Sequence, residues 1–415
     1  MGRWRLPGRD GAGDLRRRSG GSARGTISGS DQPAPAPIEE QEAFEALVDR
    51  LLDEPRIAVD TEFHRERTYY PQVALLQIGW ADSLAIVDPL AVDLSAFAPV
   101  LESDVLFVMH AAGQDLEVFD RACGTAPRNL FDTQLAAGFV GLSTPSLTTL
   151  CERELGIRLP KGDRLSDWLA RPLSGSQLEY AAADVVHLLV LHDRLVADLT
   201  TRGRMEWARD ECRELLERDR GPRDPLAAWE RIKEARRLRG DAFNRARALA
   251  AWREREAAER DVPVRSVFPD LAVVAVAQEN PADEEALRRV RGVDGRHLRN
   301  AAASDVLHAL EGASGLPPVP STPRRSNRVQ GDLRAAVTLV SAWVSQAAKD
   351  LDLDATLLGT RSDIEALVRG EGETRLASGW RGDVVGLALT DLLSGRAALA
   401  FDGEGGLLLE DRDGS

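Results

Sequence analysis

The chain has 415 residues, a length that suggests two to four domains. Apolar residues make up 43% and charged residues 29%, a balance that excludes a chain disordered along its whole length. The net charge of −14 argues mildly against a nucleic-acid partner, although such binding depends on local patches rather than on the average.

Residues 1–37 are predicted to be a disordered tail, because they carry few large apolar side chains and end in a run of proline and alanine. The sequence shows no apolar signal region and no run long enough to cross a membrane. Its three cysteines are too few and too scattered for a disulfide framework. We therefore expect a cytoplasmic protein without a membrane partner.

Residues 38–205 alternate short apolar runs with amphipathic stretches, which predicts a mixed sheet flanked by helices. The predicted strands are 56–63, 73–80, 84–87 and 105–109. The predicted helices are 41–52, 97–101, 113–123, 133–140, 147–155 and 177–199. Because few residues separate the first three strands, we expect them to be antiparallel neighbours.

The pattern changes to helices alone over 206–312, and a proline-rich linker is predicted over 313–330. Residues 331–415 are expected to form a third, mostly helical unit that ends in a hairpin. Within 220–260 there are twelve basic and seven acidic residues, so this stretch is a candidate surface for phosphate groups. The segment 321–415 contains eleven basic and fifteen acidic residues, so it is a poorer candidate for binding phosphate groups.

The first candidate for chemistry is a pair of acids on the first predicted strand. Asp60 and Glu62 lie two residues apart, so their side chains project from the same face. Neighbouring carboxylates repel and raise each other's pKa unless a cation lies between them, and Mg²⁺ prefers such oxygen ligands. Pairs of this kind are common, however, and this pair taken alone is better interpreted as two solvated acids.

Two weaker features follow along the chain. A helix is predicted to start just after the apolar run 105–109, which places Asp115 in its first turn, an ordinary position for an acid. Tyr180 and Asp184 lie four residues apart in the last predicted helix of this region and so share one face, as a simple surface pair also would.

Taken in this order, the three features resemble the DEDD exonucleases of the tyrosine-bearing subclass. Six segments resemble one family of these exonucleases in particular, the ribonuclease D family. They are Asp60-Thr-Glu-Phe63, Arg67-Thr-Tyr-Tyr-Pro-Gln72, Leu75-Leu-Gln-Ile78, Leu159-Pro-Lys-Gly-Asp-Arg-Leu-Ser-Asp-Trp168, Arg171-Pro-Leu-Ser174 and Leu178-Glu-Tyr-Ala-Ala-Ala-Asp-Val185. The unit 206–312 is similar to an HRDC domain in Trp252-Arg-Glu-Arg-Glu256, Pro263, Pro269-Asp270, Pro281 and Arg291-Gly-Val293.

The resemblance implies an α/β ribonuclease H-like exonuclease domain, then an all-α HRDC domain, then a second and divergent HRDC-like unit. It implies a 3′–5′ exoribonuclease that releases nucleoside 5′-monophosphates from RNA, typically at the 3′ ends of tRNA precursors. It also implies two divalent metal ions, Mg²⁺ or Mn²⁺. The expected metal ligands are Asp60, Glu62, Asp115 and Asp184.

The resemblance further implies a catalytic role for Tyr180. Because the pKa of tyrosine is about 10, we expect this residue to orient a water rather than to act as a base. The expected substrate contacts are Thr61, Phe63, His110 and Lys161. For Phe63 and His110, packing in the core is an equally good interpretation.

Two other functions are compatible with the same residues. A 3′–5′ DNA exonuclease would use the same four carboxylates, so only the segments similar to ribonuclease D and to HRDC domains favour RNA. A non-catalytic RNA-binding scaffold is the other alternative, and the intact set of acids argues against it. No protein partner is indicated.

Overall fold

The computed structural model describes residues 34–160, 166–221, 224–318, 327–371 and 374–412. Most of the tail predicted over 1–37, part of the predicted linker, and Lys161 lie outside these residues. We call 34–217 the sheet unit, 224–318 the middle unit and 327–412 the C-terminal unit. None of the helices in the described ranges combines the length and hydropathy needed to cross a bilayer.

The strands of the described chain are β1 (Arg56–His64), β2 (Gln72–Trp80), β3 (Ser83–Val87), β4 (Leu106–Met109), β5 (Asn129–Asp132), β6 (Ala397–Phe401) and β7 (Leu407–Asp411). The helices of the sheet unit are α1 (Gln41–Leu51), α2 (Ala98–Leu101), α3 (Gly113–Cys123), α4 (Thr133–Gly138), α5 (Leu147–Leu155), α6 (Gly175–Val186), α7 (Leu188–Thr201) and α8 (Met205–Glu217). The middle unit contains α9 (Gly240–Glu259), α10 (Val264–Val267), α11 (Asp270–Glu279), α12 (Glu284–Arg289) and α13 (Ala302–Glu311). The C-terminal unit contains α14 (Asn327–Leu351), α15 (Ala355–Leu358), α16 (Arg361–Val368), α17 (Gly379–Arg381) and α18 (Leu387–Leu393).

Strands β1 to β5 form one sheet in the order β3-β2-β1-β4-β5. The first three strands are antiparallel neighbours, as predicted, and β4 and β5 run parallel to β1. The sequence prediction missed β5, which has only four residues and merges into the start of α4. Asp132 ends this strand and caps α4, because its side chain accepts hydrogen bonds from the backbone N–H groups of Gln134 and Leu135.

The single helix predicted over 177–199 is wrong, since the chain forms two helices that meet at His187. Helix α6 covers the face of β1, β2 and β3, whereas α7 packs on α4 and α5. Both helices bury apolar side chains at helical spacing, so the apolar pattern continues through the break and does not reveal it.

Helix α8 closes the core of the sheet unit, although the pattern predicted that it belongs to the next unit. Cys212 and Leu215 lie in the same apolar cluster as Ile57, Phe97 and Phe107. The Cys212 thiol also accepts a hydrogen bond from the backbone N–H of Asp132 at 3.3 Å. The sheet unit therefore depends on residues beyond 205.

The C-terminal unit shares a core with the sheet unit. Trp380 stacks on Trp207 of α8 with ring centroids 5.1 Å apart and meets the Phe139 ring edge-on. Beside them, the buried guanidinium of Arg381 lies 2.6 Å from the buried carboxylate of Glu211. Because these contacts exclude water from both units, the two units stabilise each other.

The middle unit holds the loop that joins β1 to β2. The Tyr69 hydroxyl donates a hydrogen bond to Glu254 of α9 at 2.6 Å, and Arg231 pairs with the same carboxylate. Asp261 accepts the backbone N–H groups of Tyr69 and Tyr70, each at 3.0 Å. A segment that leaves the strand of Asp60 and Glu62 is thus fixed by another unit.

Candidate active site

Strand β1 presents its two acids on the sheet face that α6 covers. Ile57 and Val59 point into the apolar cluster on the other face, whereas Ala58 packs with residues of α6 and α7. By the alternation of a strand, Asp60 and Glu62 continue the face of Ala58. An irregularity in the pairing with β2 follows directly after Glu62.

Helix α6 brings the third acid to this face. The helix starts at a capping box, in which Ser174 and Gln177 satisfy each other's backbone N–H groups. Asp184 lies almost three turns later. One carboxylate oxygen each from Asp60, Glu62 and Asp184 lie within 4.8 Å of one another.

Asp115 lies beside this group rather than within it. It occupies the first turn of α3 and is buried, with 6% of its surface exposed. Its Oδ1 accepts a hydrogen bond of 2.5 Å from the hydroxyl of Thr61, the residue between the two acids of β1. The structure thus gathers three of the four predicted ligands and links the fourth to them through Thr61.

Burial raises the pKa values of acids in this group, and mutual repulsion adds to this effect at Asp60. Burial raises the pKa of Asp60 well above its usual range, and the charges of Asp115, Asp184 and Glu62 raise it further. Burial also raises the pKa of Asp115 and of Asp184 to about 7. The protein alone therefore opposes ionisation of this group, and a hard dication would favour it. The donor set fits such an ion.

Tyr180 lies one turn before Asp184 and forms a hydrogen bond with its carboxylate. The Trp168 ring packs on the Tyr180 ring with centroids 6.0 Å apart. Burial, followed by the charge of Asp184, raises the pKa of the Tyr180 hydroxyl above its usual value. The phenol therefore stays protonated and acts as a hydrogen-bond donor.

The remaining predicted substrate contacts, Phe63, His110 and Lys161, differ in their surroundings. Phe63 is half-buried and follows Glu62 on β1. The His110 ring is held by the protein, since Nδ1 lies 2.9 Å from the Thr133 hydroxyl and Nε2 lies 3.1 Å from the backbone oxygen of Pro145. Lys161 lies outside the described residues.

Sequence reasoning passed over Gln77 of β2. This residue pairs directly with Asp60 in the antiparallel ladder and is fully buried. The only signal in the sequence was a single amide within the apolar strand 73–80.

A cleft of about 930 Å³ lies between the sheet unit and the middle unit. Arg121 of α3 lies against the Tyr70 ring in its wall, 3.9 Å from the ring centroid. Arg218 and Arg255 line the side formed by the end of α8 and by α9. Gly113, at the start of α3, also lines this cleft, whereas the four acids do not.

Two segments of the chain match models of known protein families. Residues 35–200 match the family model for 3′–5′ exonucleases, and residues 242–310 match that for HRDC domains. A ribonuclease D from Zymomonas mobilis is 36% identical over 372 residues, which cover 88% of this chain and 95% of the relative. The chain belongs to the ribonuclease D family. Another ribonuclease D, from Granulibacter bethesdensis, is 34% identical over 90% of this chain and 96% of its own length.

Solved structures agree with this membership of the ribonuclease D family. The crystal structure of Escherichia coli RNase D, described as an exoribonuclease involved in structured RNA processing, is 32% identical and covers 87% of this chain and 98% of its own. Its TM-score is 0.76. A protein from Bifidobacterium adolescentis is 26% identical with a TM-score of 0.67, over 88% of this chain and 99% of its own.

The family and fold predicted from the motifs are therefore confirmed, with a mixed sheet and flanking helices followed by a helical HRDC domain. As a member of the ribonuclease D family, the chain is a 3′–5′ exoribonuclease.

Proposed function

We propose that this exoribonuclease trims the 3′ ends of structured RNA precursors, tRNA precursors among them, and releases nucleoside 5′-monophosphates. The observation that carries the proposal is the group of carboxylates on the α6 face of the sheet. The proposed ligands of two divalent ions, Mg²⁺ or Mn²⁺, are Asp60, Glu62, Asp115 and Asp184. Such ions, when bound, stabilise the charge on the attacking and leaving oxygens of an in-line displacement.

The side chains around the acids have separate roles in this proposal. Thr61, expected to touch substrate, instead holds the Asp115 carboxylate in place, because its hydroxyl is already donated to that group. The Tyr180 hydroxyl donates to Asp184, so its oxygen accepts a hydrogen bond from the attacking water and positions it. Phe63 lies next to Glu62 and is the proposed packing surface for the terminal nucleotide.

We propose that His110 supports the site rather than touching RNA, since both of its ring nitrogens have protein partners. Its contacts tie the end of β4 to the loop before α5, close to the start of α3. Lys161 remains a proposed phosphate contact on the strength of the resemblance alone.

The RNA that leads to the site is proposed to lie in the cleft between the sheet and middle units. Arginine side chains there can contact phosphates, and phosphate contacts dominate binding that does not depend on sequence. Part of the basic stretch 220–260 lines this cleft, which supports the expectation drawn from its charge. The variant Arg218→Ser/Arg255→Ser should bind RNA more weakly and with a shallower salt dependence than wild type.

For the division of the chain, we propose that α8 belongs with the exonuclease domain, because Cys212 and Leu215 pack in its core. The HRDC domain is proposed to end at 312, as predicted. The linker, predicted over 313–330, is proposed to end before α14 begins at Asn327, and the C-terminal domain to start there rather than at 331. The proposed location is the cytoplasm, which suits three cysteines that are all unpaired.

The deciding experiment is digestion of labelled RNA and DNA oligomers of equal sequence, with Mg²⁺, Mn²⁺ or EDTA. We expect stepwise shortening of RNA from the 3′ end, nucleoside 5′-monophosphates as products, and no cleavage in EDTA. Asp184→Asn should be inactive, whereas Glu179→Gln, an exposed neighbour on the same helix, should match wild type. Preferential cleavage of DNA, or cleavage in EDTA, would contradict the proposal.

A further inference from the structure

The side chain of Gln77 is fully buried in the middle of β2, and neither its amide nitrogen nor its amide oxygen has a hydrogen-bond partner. Burying an amide without a partner is costly, whereas an apolar side chain of similar shape at this position would carry no such cost. Strand β2 is otherwise apolar over this stretch, so packing alone does not call for glutamine.

The register of the sheet places this amide beside the acids. Gln77 lies directly opposite Asp60, and Gly79 lies opposite Ala58 on the same face. A Cβ atom at Gly79 would lie 3.5 Å from both the Ala58 Cβ and the backbone oxygen of Val185, so α6 lies close over this face. Residues directly opposite in an antiparallel pair have Cβ atoms about 4.5–5.5 Å apart, within the reach of a glutamine side chain.

The other neighbours of this amide are apolar. Its partner on the far side, in β3, is Ile86. Ile86 and Ala181 of α6 belong to one buried apolar cluster on this face. The polar group that the sheet places next to Gln77 is therefore the Asp60 carboxylate.

Two acids of the site already have side-chain donors. Thr61 donates to Asp115, and Tyr180 forms a hydrogen bond with Asp184. A carboxylate has room for about four hydrogen bonds or metal contacts, so one donor leaves the remaining positions for a cation. Donors of this kind orient metal ligands and strengthen metal binding.

We propose that Gln77 is a positioning residue of the metal site, whose side-chain amide donates a hydrogen bond to the Asp60 carboxylate when the site holds its cations. The bond directs the free oxygen positions of Asp60 toward the ion. The proposal rests on the metal site of the proposed function, and it explains why a polar side chain occupies this buried position.

The test is Gln77→Leu in the full-length protein, with Gln77→Met as a second variant of similar length. Mn²⁺ affinity is measured by calorimetry, and melting temperature is measured in EDTA. We expect the metal-free melting temperature to be unchanged or higher, because the unpaired amide is gone, and Mn²⁺ affinity to fall by about 10- to 100-fold. Gln72→Leu, at the exposed start of the same strand, is the control and should bind Mn²⁺ as wild type does.

The outcomes separate this proposal from the proposed function. If wild type binds Mn²⁺ and Asp184→Asn does not, but Gln77→Leu and Gln77→Met bind it as wild type does, the role of Gln77 is refuted and the metal site stands. A lower metal-free melting temperature with unchanged affinity would make Gln77 a packing residue only. If wild type itself fails to bind Mn²⁺, the metal site is wrong and the proposal falls with it.

Discussion

Metal binding at the carboxylate cluster should depend steeply on pH. Asp115 and Asp184 have pKa values of about 7, so both are largely protonated at pH 6. A cation must displace these protons before it can use the carboxylates. With two such groups, the fraction in which both are ionised rises from about one in 120 at pH 6 to about four in five at pH 8. Mn²⁺ affinity should therefore rise by at least about 100-fold over this interval, because the raised pKa of Asp60 adds to the effect of these two groups.

Calorimetric titrations with Mn²⁺ at pH 6 and pH 8 test this expectation. Repeating the titration at pH 6 in buffers of different ionisation enthalpy gives the number of protons released. This number should be at least two for wild type, because the pKa of Asp60 is raised as well, and about one lower for Asp184→Asn. A change in affinity of less than about threefold, with no proton release, would refute the assignment of these acids as ligands.

The same shifts have a defined effect on stability. A carboxylate whose pKa is raised in the folded protein stabilises the fold fully below its unfolded pKa, and this contribution is lost as the pH rises through the folded value. The metal-free protein should therefore lose stability between about pH 4 and pH 7, and Mn²⁺ should restore more of it at pH 8 than at pH 6. Melting curves in EDTA and in Mn²⁺ measure both effects.

Three substitutions test other parts of the account. Asp60→Asn should abolish RNA cleavage and leave the circular-dichroism melt intact, and activity within about tenfold of wild type would remove Asp60 from the ligand set. Tyr180→Phe should lose less activity than Asp184→Asn, because a positioning hydrogen bond matters less than a ligand; equal losses at saturating Mn²⁺ would contradict that role. Arg171→Leu should lower the free energy of unfolding in urea by about 3 kcal/mol, because it leaves Asp88 buried without its partner. A loss below about 1 kcal/mol would show that Asp88 finds other partners.

The strand that carries Asp60 and Glu62 could be predicted from the sequence because its signals are local. Apolar and acidic side chains alternate between the two faces of β1, and that alternation needs no knowledge of the neighbouring strands. The position of Asp115 was also predicted from a local signal, because the apolar run 105–109 is followed directly by a helix whose first turn contains this residue. The residue pattern and the order of the motifs therefore predicted the strand and the two helices that carry the four acids.

The contacts made across the fold could not be predicted in this way. The position of Gln77 opposite Asp60 depends on the register between β1 and β2. These strands are joined by the loop that contacts the middle unit through Tyr69. A shift of one residue would have turned Gln77 to the other face of the sheet. The position of α8 in the core likewise results from contacts with residues far away in sequence, and a local sequence pattern carries no information on such contacts.

The path of the chain between the units has a practical consequence. The backbone leaves the sheet unit after α8, forms the middle unit, and returns so that Trp380 packs on Trp207. A single cut between 315 and 327 would therefore give two fragments that still share one apolar core. We expect them to co-purify and, when expressed separately, to reassemble into an active enzyme, so that this protein can serve as a split reporter whose halves are joined by packing alone.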